Sequence, residues 1–416
     1  MKMKRWLVAA TLAAPIAISN PAYAKPGDPV QVNEDVTFDP IIDGRLRYER
    51  VEQDNGVSDA DALTMRIRAG GELTFNNLSL LAEAEGTLAI IDDFNDTIPG
   101  NSGLLAAEPY SVVADPNTVE LNRLQLQYKA SGGTVTIGRQ RIIHDNARFV
   151  GNVGWRQNEQ TFDAVRGQAK IGPVALDATY AISQRTIFGI DSPREYMDGD
   201  MFLLNGGIDT KIIDVKGFAY LLDYDDVQPF NSVPFSSQTY GVLATGAIPL
   251  GGEFKVNFLA SYAHQKDYKT NPVDYSADYI HGELGASVYG FGIKAGYEEL
   301  GSDDGIAAFQ TPLATLHAFN GWADLFLVTP AAGLRDYYAS VGKGFKGVKL
   351  LPGLNASVTY HKFESDVGSF DYGEEWDANI GFKISNYAIG LKYADYNAED
   401  FGVDTKKFWV QIEFKY

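Results

Sequence analysis

Apolar and polar residues alternate along most of this chain with the two-residue period that is typical of β-strands. From Ile41 to Val51, charged side chains such as Arg45 and Arg47 fall on one face and apolar side chains fall on the other. The pattern is clearer from Ala62 to Phe75, where charged residues and threonines oppose leucine, methionine and isoleucine. This second segment has about the length that a tilted strand needs to cross a membrane.

The alternation continues to the C-terminus and predicts eighteen strands. A third strand follows the turn Asn76-Asn77, and the later strands are predicted near residues 118–128, 134–143, 159–171, 173–187, 201–210, 213–224, 237–249, 253–266, 276–289, 291–300, 335–343, 353–362, 371–383, 386–396 and 401–416. Short connections alternate with long ones, which span 92–117, 144–158, 188–200, 225–236 and 301–334. An even-stranded meander of this kind is typical of outer-membrane barrels.

We therefore predict an all-β fold, a transmembrane antiparallel β-barrel of about 18 strands with short periplasmic turns and long extracellular loops. So much strand would be unusual in a globular domain, but barrel closure requires every segment to be paired. No run beyond the N-terminal leader has the roughly 18 apolar residues of a transmembrane helix, so insertion is expected to use strands.

The N-terminal residues have the features of a secretory signal peptide. A basic start is followed by an apolar run from about Leu7 to Ile18 and by the sequence Ala22-Tyr23-Ala24, a cleavage site for signal peptidase. We assign residues 1–24 to the signal peptide and residues 25–416 to a single barrel domain. The chain has no cysteine, so neither disulfides nor a thiolate metal site can stabilise it.

Aromatic residues recur near the predicted strand ends, as the interfacial girdles of a membrane barrel would. They include Tyr180, Phe218, Tyr220, Tyr224, Tyr262, Tyr297, Tyr337, Tyr360, Tyr387 and Tyr393. The final residue, Tyr416, ends an apolar-alternating strand and resembles the assembly signal of outer-membrane barrels. Outer-membrane lipid, lipopolysaccharide and the barrel assembly machinery are therefore expected partners.

Charge is distributed unevenly along the chain. The formal net charge of −19 becomes −22 without the three cations of the signal peptide, which argues against nucleic acid as a partner. Eleven of the fourteen arginines beyond the signal peptide precede residue 167, and five of them lie between Gly138 and Arg166. Acidic residues crowd the predicted loops. This segregation indicates a positive interior feature below an acidic rim.

Arginine suits a pore that reads carboxylates, because it stays charged and offers a planar fork of donors. The candidate substrate-binding residues are Arg45, Arg47, Arg66, Arg68, Arg123, Arg139, Arg141, Arg148, Arg156 and Arg166, with Glu83 and Glu85 as partners. The first four could form a ladder that guides a solute or a salt-bridge ladder that holds the wall, and the sequence leaves both open.

Arg139 and Arg141 share the parity of the apolar residues Val135 and Ile137. Either a β-bulge at Gly138 turns both arginines into the lumen, which is the expectation we adopt, or both point outward near the lipid headgroups.

Three segments resemble the alginate-export family of outer-membrane barrels. They are GRQRII at 138–143, RFVGNVGWRQNEQTFDAVR at 148–166 and TPLATLHAFNGWAD at 311–324. The resemblance implies an eighteen-stranded barrel with a basic lumen, which passes an anionic polysaccharide or a smaller anionic solute.

The leading hypothesis is thus an anion-selective channel for an alginate-like polysaccharide or an acidic sugar, and the alternative is a general small-solute porin. Two further classes are weaker. An outer-membrane lipase would need a matched Ser and His pair that the pattern does not offer, and a secreted carbohydrate-binding protein would not need a barrel. We therefore expect no enzyme.

Other candidate chemistry is sparse. His281 and Glu283 face the lumen as the nearest approach to an acid–base pair, for which ordinary lumen polarity is the better interpretation. No cofactor is expected, although the acidic run Asp92–Asp96 could hold Ca²⁺. The connection 301–334 has apolar residues near helical spacing and is expected to fold as a lid or plug. Whether it or 144–158 enters the lumen is left open.

We predict that the mature protein begins at Lys25. Because signal peptidase reads small residues before the cut, Ala22→Asp should leave the leader attached. Intact-mass measurement of protein extracted from outer membranes checks both statements. A different N-terminus in the unaltered protein would show that the site is wrongly assigned.

Overall fold

The computed structural model describes residues 28–97, 108–210, 212–226 and 231–415. The predicted signal peptide, ten residues of the acidic connection 92–117 and the terminal Tyr416 lie outside these ranges. The predictions made for the leader and for the terminal aromatic therefore stay predictions.

Eighteen long strands form the wall of the barrel within the described residues. In chain order they are β1 Val36–Gln53, β2 Ala60–Phe75, β3 Leu78–Asp93, β4 Thr118–Ala130, β5 Gly133–Gln140, β6 Thr161–Ile171, β7 Val174–Arg185, β8 Tyr196–Asp209, β9 Ile213–Tyr224, β10 Ser237–Gly251, β11 Phe254–Asp267, β12 Ser276–Val288, β13 Phe291–Leu300, β14 Leu334–Gly344, β15 Asn355–Glu364, β16 Asp371–Ile384, β17 Tyr387–Ala398 and β18 Thr405–Lys415. The predicted strand number is confirmed.

Each strand pairs with its neighbours in the chain in antiparallel fashion, and the first strand closes the sheet on the last. In β1, Arg45 lies opposite Arg66 of β2 on one side and opposite Glu413 of β18 on the other. A two-residue strand, Val30–Gln31, pairs with the first residues of β1. Closure leaves no unpaired edge in the wall, as a membrane requires. The transmembrane antiparallel β-barrel is thereby confirmed.

The two faces of the wall are chemically opposite. In β2, Arg66 and Arg68 are buried inside the barrel, whereas Ile67 between them is 45% exposed on the outside. The same outer face carries Leu126 and Ile137 on β4 and β5, both about half exposed. Large apolar side chains exposed around the whole circumference mark a lipid-facing surface.

Short turns lie at one end of the barrel and the longer connections at the other. Near the longer connections, outward-facing tyrosines donate hydrogen bonds to carboxylates closer to the rim. Examples are Tyr262 to Asp278 at 2.8 Å and Tyr360 to Glu374 at 2.7 Å. An aromatic ring with its hydroxyl turned toward charged groups marks the boundary between lipid and water.

Three of the predicted girdle residues lie elsewhere. Phe218, Tyr220 and Tyr224 point into the barrel and are at most 6% exposed. Alternate side chains of strand β9 point into the barrel. The inward side chains of this strand are aromatic because they pack against a loop within the lumen. The girdle assignment is wrong for these three residues, and it holds for exposed ones such as Tyr180 and Tyr262.

Helical structure in the described residues is limited to two three-residue 3₁₀ turns, Val233–Phe235 and Leu316–Ala318. None of it is long and apolar enough to span a membrane. The helical spacing noted between residues 301 and 334 therefore yields a single short turn and, before it, a small hairpin that pairs Ser302–Asp303 with Ala307–Ala308.

We predict that a charge on the outer face destabilises the barrel far more than the same charge inside. Leu126→Arg should lower the free energy of unfolding by roughly 2–4 kcal/mol, because lipid cannot solvate the guanidinium. Gln125→Arg is the control, since that neighbouring side chain faces the lumen. Denaturant titrations in lipid vesicles measure both, and equal losses would contradict the assignment of faces.

Candidate channel interior

Two long loops enter the barrel instead of remaining outside it. The first inner loop, residues 141–160, joins β5 to β6, and the second inner loop, residues 301–333, joins β13 to β14. In the first, His144 contacts the hydroxyl of Tyr220 on β9 at 3.2 Å, while Asn158 accepts a hydrogen bond from Thr87 on β3 at 2.8 Å. Because β3 and β9 lie on different sides of the wall, the loop crosses the lumen.

Arg45 and Arg47 hold the first inner loop against β1. Arg45 donates from Nη1 to the carbonyl oxygens of Trp155 at 2.7 Å and Arg156 at 3.0 Å. Arg47 donates from Nη2 to the same Trp155 carbonyl at 2.6 Å, and its guanidinium lies 3.9 Å from the centre of the Trp155 ring. Both arginines thus face the lumen, as predicted, and bind the backbone of a loop whose entry into the lumen the sequence analysis left open.

Arg66 and Arg68 continue this row on β2. Arg66 donates from Nη2 to Asp43, and Arg68 donates from Nε to Glu85 and from Nη2 to the carbonyl of Gln157 at 3.3 Å. Nε and Nη1 of Arg66 have no hydrogen-bond partner within the protein, although the residue is only 1% exposed. Buried guanidinium donors are nearly always paired, so these two nitrogens are exceptions, as are Nη1 of Arg47 and Nε of Arg185.

Glu159 of the first inner loop is the carboxylate on which several groups converge. Arg141 donates from Nε to Glu159 at 2.7 Å, and the side-chain amides of Asn122 and Asn152 also donate to it at 2.7 Å. Burial alone would raise the pKa of Glu159, but the guanidinium groups of Arg141 and Arg68 outweigh it and hold the pKa well below its usual range. Since the folded state favours the carboxylate, this anchor is present at neutral pH and weakens only as pH falls.

Arg123 and Glu83 form a bidentate pair between β4 and β3. Nε and Nη2 of Arg123 each donate to one oxygen of Glu83 at 2.8 Å. A β-bulge at Asn122 turns both Asn122 and Arg123 toward the lumen, where the Asn122 amide donates to the same carboxylate at 2.8 Å. The predicted roles of Glu83 and Glu85 as partners of the arginines fit this geometry.

Arg139 and Arg141 do not share a face, which corrects the expectation of a bulge at Gly138. The register stays continuous through Gly138, so Arg139 pairs with the lipid-facing Leu124 and points outward. There it forms a bidentate pair with Asp163 at 2.7–2.8 Å. The strand ends at Gln140, and Arg141 turns inward to Glu159 with the first inner loop. Strand termination, rather than a bulge, separates the two arginines.

Arg148 joins both inner loops to the wall. It donates from Nε to Glu298 of β13 at 2.6 Å, from Nη1 to Thr311 at 3.0 Å and from Nη2 to Asn320 at 3.1 Å. Thr311 and Asn320 belong to the second inner loop, so one buried guanidinium connects three parts of the chain. Every nitrogen of this side chain has a partner.

Arg156 has the same function nearer β1. It donates from Nη1 to Glu49 at 3.1 Å and from Nη2 to Asp324 of the second inner loop at 3.3 Å. Arg166 differs from both, because it pairs with Asp177 of the neighbouring strand at 3.0 Å and touches neither inner loop. The ten arginines thus comprise loop anchors, wall pairs and one outward-facing residue.

Sequence reasoning missed a buried group that surrounds Lys392 of β17. Its Nζ donates to Nε2 of His317 at 2.7 Å, and Nδ1 of His317 donates to Asp324 at 2.7 Å. The ammonium also lies 3.5 Å and 4.0 Å from the ring centres of Trp322 and Trp155. The motif at 311–324 supplied the only sequence signal for this group, because Lys392 looks like an ordinary lumen residue.

The remaining candidates form no reactive constellation. His281 contacts the Tyr338 hydroxyl at 2.9 Å, which in turn donates to Glu283 at 2.7 Å, so the pair is bridged by a wall tyrosine. Within the described ranges, no three His, Asp or Glu side chains are grouped to hold a metal ion. The suggestion of Ca²⁺ at Asp92–Asp96 therefore gains no support.

Comparison with known proteins agrees with this architecture. The sequence model of the alginate export family matches residues 41–183, which contain the first inner loop and most of the lumen arginines. The resemblance is confirmed over this part of the chain, and the motif at 311–324 lies outside it. Comparison with curated proteins gives no match.

Solved structures extend the likeness to nearly the whole barrel. Acinetobacter baumannii OccAB3 has a TM-score of 0.70 at 14% identity and covers 91% of this chain and 99% of its own. Pseudomonas aeruginosa OccK9 (OpdG) has a TM-score of 0.70 at 14% identity, with 92% and 99% covered. P. aeruginosa OpdK, solved with vanillate, has a TM-score of 0.66 at 13% identity, with 91% and 98% covered. The fold is that of outer-membrane porins, which places the barrel in the outer membrane of a Gram-negative bacterium.

We predict that weakening the inner loops widens the passage. Arg148→Gln and Arg156→Gln should each raise the single-channel conductance for large anions, because each arginine ties a loop to the wall. Planar-bilayer recordings with glucuronate as the anion measure the effect. Arg166→Gln serves as control, since it removes a lumen cation that holds neither loop, and an equal increase there would refute the explanation.

Proposed function

We propose that this barrel is a passive outer-membrane channel for a small anionic solute, such as an acidic sugar or another carboxylate. The observation that carries the proposal is the row of Arg45, Arg47, Arg66 and Arg68 on adjacent strands of the lumen wall. Arg45 and Arg68 bind carbonyls of the first inner loop, so we expect the row to line the path of a solute beside that loop.

Arg66 is the strongest candidate for direct contact with the solute. The neighbouring Arg45 and Arg68 donate to loop carbonyls and to carboxylates. Two nitrogens of Arg66, by contrast, have no hydrogen-bond partner in the protein. A carboxylate is the natural acceptor for such donors, since charge-assisted hydrogen bonds are stronger than neutral ones. P. aeruginosa OpdK, which shares the fold, was solved with vanillate, and vanillate carries a carboxylate.

The size of the solute follows from the inner loops. The loops contact wall strands that are far apart in the barrel, including β1, β3, β9 and β13. A polysaccharide chain such as alginate would therefore need a larger displacement of the loops than a monosaccharide acid would. The family match to alginate export supports an anionic substrate, and the geometry favours its small representatives.

A general small-solute porin is the second candidate, and a specific observation favours it. Most lumen arginines are paired with carboxylates, including Arg68 with Glu85 and Arg123 with Glu83. Paired charges produce a weak field beyond a few ångströms, so selectivity could be modest. Either candidate is a transport function, and catalysis is no part of the proposal.

We predict that replacing Arg45, Arg47, Arg66 and Arg68 together by Gln shifts the reversal potential in asymmetric salt toward cation preference. The reason is that fixed charge in a narrow passage acts on ions at short range. Single replacements should have partial effects, with Arg66→Gln the largest. Replacement of all four by Lys should retain anion preference, because it keeps the charge.

The control for this experiment is Arg50→Gln. Arg50 lies on β1 but faces outward, where it pairs with Asp61 at 2.7 Å. It should leave the reversal potential unchanged. If selectivity is unaltered in the fourfold variant while the barrel loses its resistance to heat, the arginines are structural and the general porin is the better assignment.

A further inference from the structure

The second inner loop is attached to the wall in two chemically different ways. Its two arms are apolar. Phe309 packs on Tyr279 with ring centres 5.5 Å apart, and Phe326 packs on Phe363 at 4.6 Å and on Phe401 at 5.2 Å. Aromatic contacts of this kind are favourable as long as water stays out, so the arms are fixed points.

Both polar and ring contacts hold the tip between these arms, residues 315–324, where the rings of His317 and Trp322 lie against Trp155 and Lys392. Asn320 donates to Glu298 at 2.8 Å, and the backbone N–H of Ala323 donates to Glu375 at 2.8 Å. Polar contacts can be exchanged for contacts with water when a segment moves, at a small net cost. Water can therefore replace the polar contacts of the tip while the apolar contacts of the arms remain in place.

Asp324 is the residue at which the tip, the first inner loop and the wall meet. It accepts hydrogen bonds from His317 of the tip at 2.7 Å, from Arg156 of the first inner loop at 3.3 Å and from Lys407 of β18 at 3.1 Å. Its side chain contacts the tip, the first inner loop and the wall, and it is only 7% exposed.

The charge states of this group are consistent with a closed latch. Burial alone would raise the pKa of Asp324, but His317, Lys407 and Arg156 outweigh it and hold the pKa well below its usual range. Burial lowers the pKa of His317, and Lys392 lowers it further against the opposing carboxylate. A neutral His317 can donate from Nδ1 to Asp324 and accept at Nε2 from Lys392.

Two features of the closed tip are energetically unfavourable: its backbone conformation and the buried carboxylates behind it. Asn320 and Asp324 have φ angles of 55° and 63°, in the left-handed region that residues with a Cβ rarely adopt. Behind the tip, Glu375 and Asp377 of β16 are at most 1% exposed, their carboxylate oxygens lie next to each other, and Asp377 is 3.7 Å from Nε2 of His361. Opening would relax the backbone and expose these oxygens to water.

We propose that residues 315–324 form a flap over the lumen and that Asp324 is the latch that keeps it shut. The proposal rests on the channel function proposed above and assigns its regulation. With the latch released, the flap swings on the apolar base and opens a passage beside Lys392, whose ammonium is then released from His317 and can meet a carboxylate. This wider state is the one that an anionic oligosaccharide would need.

The first test measures whether the tip opens, without reference to any solute. The chain has no cysteine, so the thiol introduced by Ala323→Cys is unique, and Ala323 is only 2% exposed in the closed state. In refolded full-length mature protein, a charged thiosulfonate should modify this thiol at least about tenfold faster when Asp324→Asn is added, as expected for loss of a charge-assisted contact.

Two further variants make this test specific. Asp324→Glu keeps the charge and should leave modification slow. Glu283→Gln also removes one lumen carboxylate, but the hydrogen bonds of Glu283 go to Lys294 and Tyr338 of the wall. It should therefore have no effect. Equal rates with and without Asp324→Asn in protein that remains heat-modifiable would overturn the latch, and so would equal acceleration by Glu283→Gln.

The second test asks whether the latch regulates the channel. Swelling of proteoliposomes in sodium glucuronate and in a hexameric uronate should show that Asp324→Asn increases entry of the hexamer much more than entry of the monomer. If the thiol becomes accessible but hexamer entry does not change, the flap opens without regulating transport, and that part of the proposal is wrong. If Asp324→Asn accelerates labelling but the channel shows no anion preference, the proposed substrate class is wrong and the latch is still supported.

Discussion

A charge inside this barrel must be paired, and most of the architecture follows from that requirement. Removing a guanidinium or a carboxylate from water costs several kcal/mol unless an opposite charge and hydrogen bonds replace the water. The inner loops supply these partners. Arg45 and Arg47 donate to the backbone carbonyl of Trp155, and Arg148 of the first inner loop donates to the wall and to the second inner loop. The arginines of the wall and the loops in the lumen therefore depend on each other.

The same requirement divides the lumen into two zones. Toward the extracellular end, wall and loops share buried charges, and aromatic residues of β9, β12 and β15 seal the gaps between them. Toward the periplasmic end, pairs such as Arg166–Asp177 join neighbouring strands and need no loop. The inner loops fill the extracellular zone. Discrimination between solutes is expected to occur there.

The sequence predicts those features that depend on local alternation. Strand number, the lipid-facing surface and the inward direction of Arg66 and Arg68 all follow from a period of two. The position of the loops does not, because it depends on contacts such as Arg45 with Trp155, which are 110 residues apart. Arg141 shows a third case, since it turns inward where the strand ends at Gln140, and no alternation pattern marks that end. The group around Lys392 was missed because its members come from three distant segments.

The number of arginines is a poor guide to how strongly the proposed channel would prefer anions. Each paired arginine adds little to the field felt by a solute, because its carboxylate lies within about 3 Å of it. What can act on a solute is the small set of donors that the fold leaves without partners, and two of these belong to Arg66. Selectivity would then depend on one or two nitrogens at the edge of the first inner loop. The other arginines would contribute indirectly, by holding that loop where the passage is narrow enough for short-range contacts to matter.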